Sequence, residues 1–280
     1  LDIPLVKGQE PKIAVDFSTD KARLKISEPV LELTQLKGDF RFDNAKGLSG
    51  KGVRAQAFDR PITAEIAAEG KPGANVTRVV ANGQVAVPKL SEWLGVTQAL
   101  PVSGELPYQL QLTLGNDSQL RINSSLKGTV IDLPAPFGKL ADDGRDSEFR
   151  MSLQGPERRY NFSYGNLASL AFASPPGKLA DGRGELFLGD GGAIVPDAKG
   201  LRVRGSLSEL DIAPWQTMIG KYAGQDPGGS AKQLVNNVDL QIGKLTAMGT
   251  TLDQADVKLK RSDTAWTLAL DSHLIKGSAT

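Results

Sequence analysis

The sequence predicts an all-β protein with two or three short helices, built on a long, mainly antiparallel sheet. Three observations carry this. Apolar and polar residues alternate with period two from one end to the other; 31 Gly and 16 Pro are scattered through the 280 residues as joints between alternating segments; and helical patterning is confined to two short stretches.

The alternation places Ile13, Val15 and Phe17 on one face. Its clearest run sets Leu106, Tyr108, Leu110, Leu112 and Leu114 on one side, with Gln109, Gln111 and Thr113 on the other. Leu120 and Ile122 follow, then Phe149, Met151 and Leu153, then Tyr160, Phe162 and Tyr164. Toward the C-terminus the same pattern covers Val238, Leu240 and Ile242, then Val257 and Leu259, then Trp266, Leu268 and Leu270. One oily and one wet side per strand argues for antiparallel pairing, because parallel strands buried on both faces read as unbroken apolar runs. Asn82-Gly83, Gly115-Asn116, Asp181-Gly182 and Asp190-Gly191 supply hairpin signals tolerant of positive φ, so a meander is the simplest topology.

The helical stretches are 88–94 (PKLSEWL) and 214–222 (PWQTMIGKY), each opening on a proline suited to a first helical turn. Residues 226–232 (DPGGSAK) read as a flexible loop, but the strand pattern resumes behind it, so 1–280 is taken as a single continuous β-sheet segment. Glycine–strand–proline–turn segments beginning at Gly83, Gly128 and Gly205 resemble one another, as repeated units added to a growing sheet would.

Composition narrows the function classes. With 33 Lys and Arg against 32 Asp and Glu, the net charge of +1 gives no strong field for nucleic acid or anionic headgroups. Absence of cysteine removes disulfides, thiolate metal sites and cysteine nucleophiles. No run of eighteen or more apolar residues marks a membrane span, and the chain opens at Leu1 without a signal-like region, so any signal or anchor is expected to have been removed or to lie elsewhere.

The search for chemistry finds little. His273 is the single histidine, which rules out paired-histidine metal motifs, and no GxSxG elbow presents a serine. Asp142 with Asp143, or Asp146 with Glu148, has the residue types of a glycosidase pair, yet ADDGRDSE reads as a solvated, glycine-containing connection. GDGG at 189–192 reads as a turn rather than a calcium loop, and Arg158-Arg159 as a solvated hairpin end. No cofactor and no catalytic residue is indicated.

What remains is one-sided apolar surface in quantity. Some sixteen strands about 4.8 Å apart would extend about 75 Å, and sheets that wide twist and curl. Two short helices cannot cover such a face. Either it folds back as a sandwich or it curls into a gutter filled by something else, and acyl chains suit that role at about 0.8 kcal/mol per buried methylene. Composition alone leaves both open.

Four segments resemble the AsmA-like superfamily of Gram-negative envelope proteins, in particular its YhdP branch. They are LKGTVIDLPAPFGKLADDGR at 126–145, LSGKGVRAQAFDRPITAEI at 48–66, SLSELDIAPW at 206–215, and the strand–turn–strand run from Val238 onward with its Trp266 strand. The resemblance implies a long curled antiparallel sheet forming an open hydrophobic groove, in a periplasmic fragment of a longer protein anchored in the inner membrane. It also implies a non-enzymatic lipid-conduit segment that carries phospholipid acyl chains between inner and outer membranes, docking through parts not in this chain. The groove is then expected to be lined by Leu106, Tyr108, Leu110, Leu112, Leu114, Leu120, Ile122, Phe149, Met151, Leu153, Tyr160 and Phe162. The helices carrying Trp93 and Trp215 would plug it or cover an edge. The alternatives are a structural envelope sandwich or solenoid that binds a protein partner, and, third, a glycan-acting enzyme with a buried carboxylate pair.

Overall fold

The computed structural model describes residues 13–27, 30–71, 74–96, 98–223, 234–262 and 265–279; the predicted loop at 226–232 lies outside them. Its strands are β1 (Ala14–Ser27), β2 (Val30–Asp43), β3 (Gly47–Ala57), β4 (Arg60–Lys71), β5 (Ala74–Ala86), β6 (Val102–Leu114), β7 (Gln119–Ser124), β8 (Thr129–Ile131) and β9 (Ser147–Ser152). The second half holds β10 (Arg158–Tyr164), β11 (Ala168–Ser174), β12 (Arg183–Leu188), β13 (Gly200–Asp211), β14 (Val235–Ala247), β15 (Thr250–Arg261), β16 (Trp266–Asp271) and β17 (Lys276–Ala279). Two helices accompany them, α1 (Val87–Trp93) and α2 (Ile212–Ala223), both where the proline-led stretches predict helix.

Each strand pairs with the next from β1 to β7, then β9 joins β7 and the series continues to β17; β8 sits beside the start of β6. The sheet is therefore open, with β1 and β17 as its edges. The meander fails at two places, because β12–β13 and β13–β14 are parallel. Asp190-Gly191 thus opens a crossover, 189–199, rather than a hairpin. That crossover runs over the polar face, where Ile194 N–H reaches buried Glu185 and Ser169 binds Gly191 O and Ala193 N–H. Arg202 and Arg204 neutralise Glu185, which is fully buried.

Asn82-Gly83 is also not a turn; it lies within β5. Glycine is needed there for space, since a Cβ at Gly83 would come within 2.7 Å of the Tyr108 Oη and 2.8 Å of Ile62 Cγ2. The Gly115-Asn116 turn forms as read, closed by Ser118 Oγ, which donates to Gly115 O at 2.9 Å. Asp181-Gly182 ends a single 3-10 turn leading into β12.

Several strands carry one residue too many for strict alternation, and the surplus is absorbed by bulges. Ladder shifts occur in β1, β2 and β3, close to Lys21, Gln35 and Gly52, whose φ values of 59°, 53° and 59° are left-handed. Each bulge restores parity, so Phe17 and Thr19 share a face with Ala22 and Leu24. Bulges also coil strands, which an open sheet of this width requires.

The sheet has two unlike rims, defined by the strand ends. At one rim several chain reversals are short, as at 43–47 and 115–118, and the longest within the described residues is 175–182 with its 3-10 turn. At the other, three larger elements gather: α1 after β5, the excursion 125–146 between β7 and β9, and α2 after β13. Many of the buried apolar residues follow this asymmetry, although Val30, Leu94, Leu140 and Met248 are exposed at the built rim and Ala173 is fully buried near the other. Ala57, Val85, Val87, Phe137, Tyr164, Leu207, Leu245 and Leu252 all lie at or near the built rim. Val15, Phe17, Phe42, Leu114, Trp266 and Leu268 lie toward the bare rim and expose between 38% and 47% of their surface.

Candidate functional site

The apolar residues form files that run across the sheet in direct register. One file reads Phe17, Phe40, Gly50, Ile66, Val79, Leu112, Leu120, Met151, Tyr160, Phe172, Gly184, Leu201 and Val235. A second continues from Leu110 through Ile122, Phe149, Phe162, Leu170, Leu186, Val203, Val238 and Leu259 to Leu268. Directly opposed residues of neighbouring strands share a face, so these files define one apolar surface crossing the sheet.

All twelve groove residues expected from the sequence lie on this surface. None is buried; Leu114 and Phe162 are exposed and the others half-buried. Leu153 follows the end of β9, its N–H donating to Ser118 O at 2.9 Å. Tyr108 differs from the rest: its ring crosses Gly83 to meet Ile62, joining the cluster of Ala55, Ala57 and Ile62. Burial pushes its phenol above the ordinary tyrosine range. Among the described residues no second layer covers the central files.

The sequence reading missed much of the same surface. Phe40, Val53, Ile62, Ile66 and Val79 escape because bulges break the parity of their strands or because Ala and Gly dilute it. Leu170, Leu186 and Val203 also escape, although Asp181-Gly182 and Asp190-Gly191 flank β12; only the β12–β13 and β13–β14 pairings there are parallel.

The polar face carries the charge. Arg121 and Arg150 both pair with Glu148, at 3.5 Å and 2.5 Å, and Arg41 with Asp16 at 3.0 Å. Glu148 is thus held by guanidinium groups, while Asp142 and Asp143 lie exposed in a turn and connection, as the solvated reading requires. Gln111 donates to Gln109 and Gln109 to Asn82, each at 3.2 Å, beside an open hollow of about 910 Å³ lined by Asn82, Gln84, Gln109, Asn123 and Glu148. Among the described residues no group of three or more His, Asp or Glu side chains is placed to hold a metal ion. His273 is exposed in the turn before β17.

The 126–145 segment is a staple at the built rim. Tyr164 Oη donates to Phe137 O at 2.7 Å, and Arg145 Nη1 donates to the same hydroxyl at 2.8 Å while its guanidinium lies 4.8 Å over the Tyr164 ring. The Phe137 ring meets Trp215 of α2 edge-on at 5.8 Å. Lys139 is buried, with its ammonium on the carbonyls of Leu126, Thr129 and Leu140. Desolvation lowers the Lys139 pKa and raises that of Tyr164, with Arg145 opposing the latter. At the other end of this rim, Trp93 Nε1 of α1 donates to Val30 O and its ring meets Phe58 at 5.6 Å. Both tryptophan helices therefore close one edge of the apolar face and leave its centre open.

Fold and face together define the class: a one-layer, open β-sheet protein with an amphipathic sheet. Over residues 1–280 the chain matches the YhdP protein family, and it belongs to that family. No curated protein and no solved structure matches it. Among the described residues, no helix is long and apolar enough to cross a membrane.

Proposed function

We propose that this chain is a non-enzymatic segment of a lipid conduit, its apolar face forming a groove for phospholipid acyl chains that cross the periplasm between inner and outer membranes. The observation that supports this best is the register of the two apolar files across the sheet, with no covering layer among the described residues. A sandwich core would bury those side chains. Here Leu110, Leu112, Leu120, Ile122, Phe149 and Met151 stay half-exposed on consecutive strands. Water contact along so long an apolar face costs roughly 25 cal/mol per Å², a cost that acyl chains relieve without fixed polar partners. Membership of the YhdP family is consistent with a role in the cell envelope.

Native mass spectrometry of the purified chain, with extraction and identification of the bound lipid, tests the proposal. Phospholipid that copurifies, and that is lost when Leu110 or Leu112 is replaced by aspartate in a folded protein, is the expected result. A clean apo mass under mild conditions would overturn the conduit in favour of a protein-binding structural module.

A further inference from the structure

Arg158 and Arg159, adjacent in sequence, part company in the fold. Arg159 faces the polar side and is exposed. Arg158 faces the apolar side at the bare rim, half-buried, in line along β10 with Tyr160 and Phe162 and directly opposite Ser174 of β11. The sequence reading of this pair as one solvated hairpin end holds for Arg159 and fails for Arg158, because the strand continues through it. Tyr160 and Phe172, the next opposed pair inward, have ring centroids 6.3 Å apart.

Two polar groups here lack partners among the described residues. Nη1 of Arg158 and Oγ of Ser174 are both shielded from solvent and make no hydrogen bond, and Ser174 is fully buried. The neighbouring carboxylate, Glu157, is occupied by both terminal nitrogens of Arg183. A guanidinium stays charged at every physiological pH, and a shielded N–H without an acceptor forfeits a bond worth more than a neutral one. Both orphan groups can donate, so what is missing is an acceptor, and the positive charge asks for an anionic one. The adjoining Tyr160, Phe162 and Phe172 ask for an apolar remainder on the same molecule.

We infer that Arg158 and Ser174 form a latch for the phosphate of a phospholipid at the bare rim, with the acyl chains lying inward along Tyr160 and Phe172. The inference rests on the conduit reading and adds to it a headgroup position. The guanidinium offers two parallel donors to phosphate oxygens, and the Ser174 hydroxyl donates a third bond from the adjacent strand. The latch lies at the rim opposite α1, the 125–146 excursion and α2, beside the 175–182 connection with its single 3-10 turn.

The test loads the full chain with phosphatidylglycerol or with diacylglycerol of the same acyl chains and reads the retained ratio by native mass spectrometry. The wild type should favour phosphatidylglycerol by about tenfold, the scale of a charge-assisted hydrogen bond. Arg158→Gln should erase that preference without changing diacylglycerol retention, and Ser174→Ala should reduce it by a few-fold. Arg158→Lys, which keeps the charge but loses the fork, should retain part of it and serves as the readout if the glutamine variant does not fold. An unchanged ratio in a folded Arg158 variant overturns the latch and leaves the conduit standing. Failure of the wild type to retain either lipid overturns both. Arg158-dependent binding of inorganic phosphate, equally strong without lipid, makes the ligand a free anion and overturns the assignment to a headgroup.

Discussion

The two rims of the sheet show what closing an apolar face requires. At the built rim the chain spends α1, the 125–146 excursion and α2, and obtains a dry core around Val85, Phe137, Tyr164, Leu207 and Leu245. At the bare rim several connections are only a few residues long, and Val15, Phe42, Leu114 and Trp266 stay in contact with water. The difference goes with the elements each rim carries. One sheet can therefore be a folding core along one edge and a presenting surface along the other.

Mutations can break this comparison. The largest effect is expected from Phe137→Ala, which empties a buried aromatic site between Tyr164 and Trp215 and should cost about 3 kcal/mol in urea unfolding. Leu114→Ala, at a residue 42% exposed, should cost less than about 1 kcal/mol in the same assay; equal losses would mean the rims are not energetically distinct. Next, Leu112→Asp between Val79 and Leu120 should leave the far-ultraviolet circular dichroism unchanged while lowering copurified lipid by about tenfold. Loss of the fold instead would show that the open face is structural.

A smaller effect sharpens the picture of the staple. Tyr164→Phe removes the hydroxyl shared by Phe137 O and Arg145 and should cost about 1 kcal/mol, with less change in lipid retention than Leu112→Asp. The smallest lies in the alkaline range. Burial raises the phenol pKa of Tyr108 and Tyr164. The unfolded chain therefore loses these protons first, so their contribution is intact below the ordinary phenol pKa and declines as pH rises through the folded values. Tyr108→Phe and Tyr164→Phe should each remove a late component from the tyrosinate absorbance titration; a titration identical to wild type would show the rings to be solvated.

Much of this was legible in the residues. Alternation from Leu106 to Phe162 places twelve side chains on one face, and the registers of β6, β7, β9 and β10 bring them together. Pro88 and Pro214 announce both helices. What escaped did so for physical reasons. A bulge near Lys21 or Gln35 shifts parity by one, which a strict period-two reading takes for the end of a strand. Asp190-Gly191 offers the same positive-φ chemistry to a crossover as to a hairpin, so sequence cannot tell a parallel partner from an antiparallel one there. Asn82-Gly83 looks like a turn because the reason for its glycine, the Tyr108 ring, belongs to the next strand. Arg158 looks solvated because its charge is visible in sequence and its facing is not.

The serial order of the strands has a mechanical consequence. Tension applied between β1 and β17 acts along the hydrogen bonds, across the strands, rather than along the strand axes. A ladder pulled in that direction is peeled one pair at a time, whereas one pulled along its strands is sheared with all its bonds resisting together. The resisting points would be where an element ties non-neighbouring strands: Trp93 reaching from the end of β5 to Val30, and Lys221 of α2 binding Asp132 beside the start of β6. Such a sheet is compliant along its length and stiff across it, and strain between distant anchor points would be taken up strand by strand rather than in one rupture.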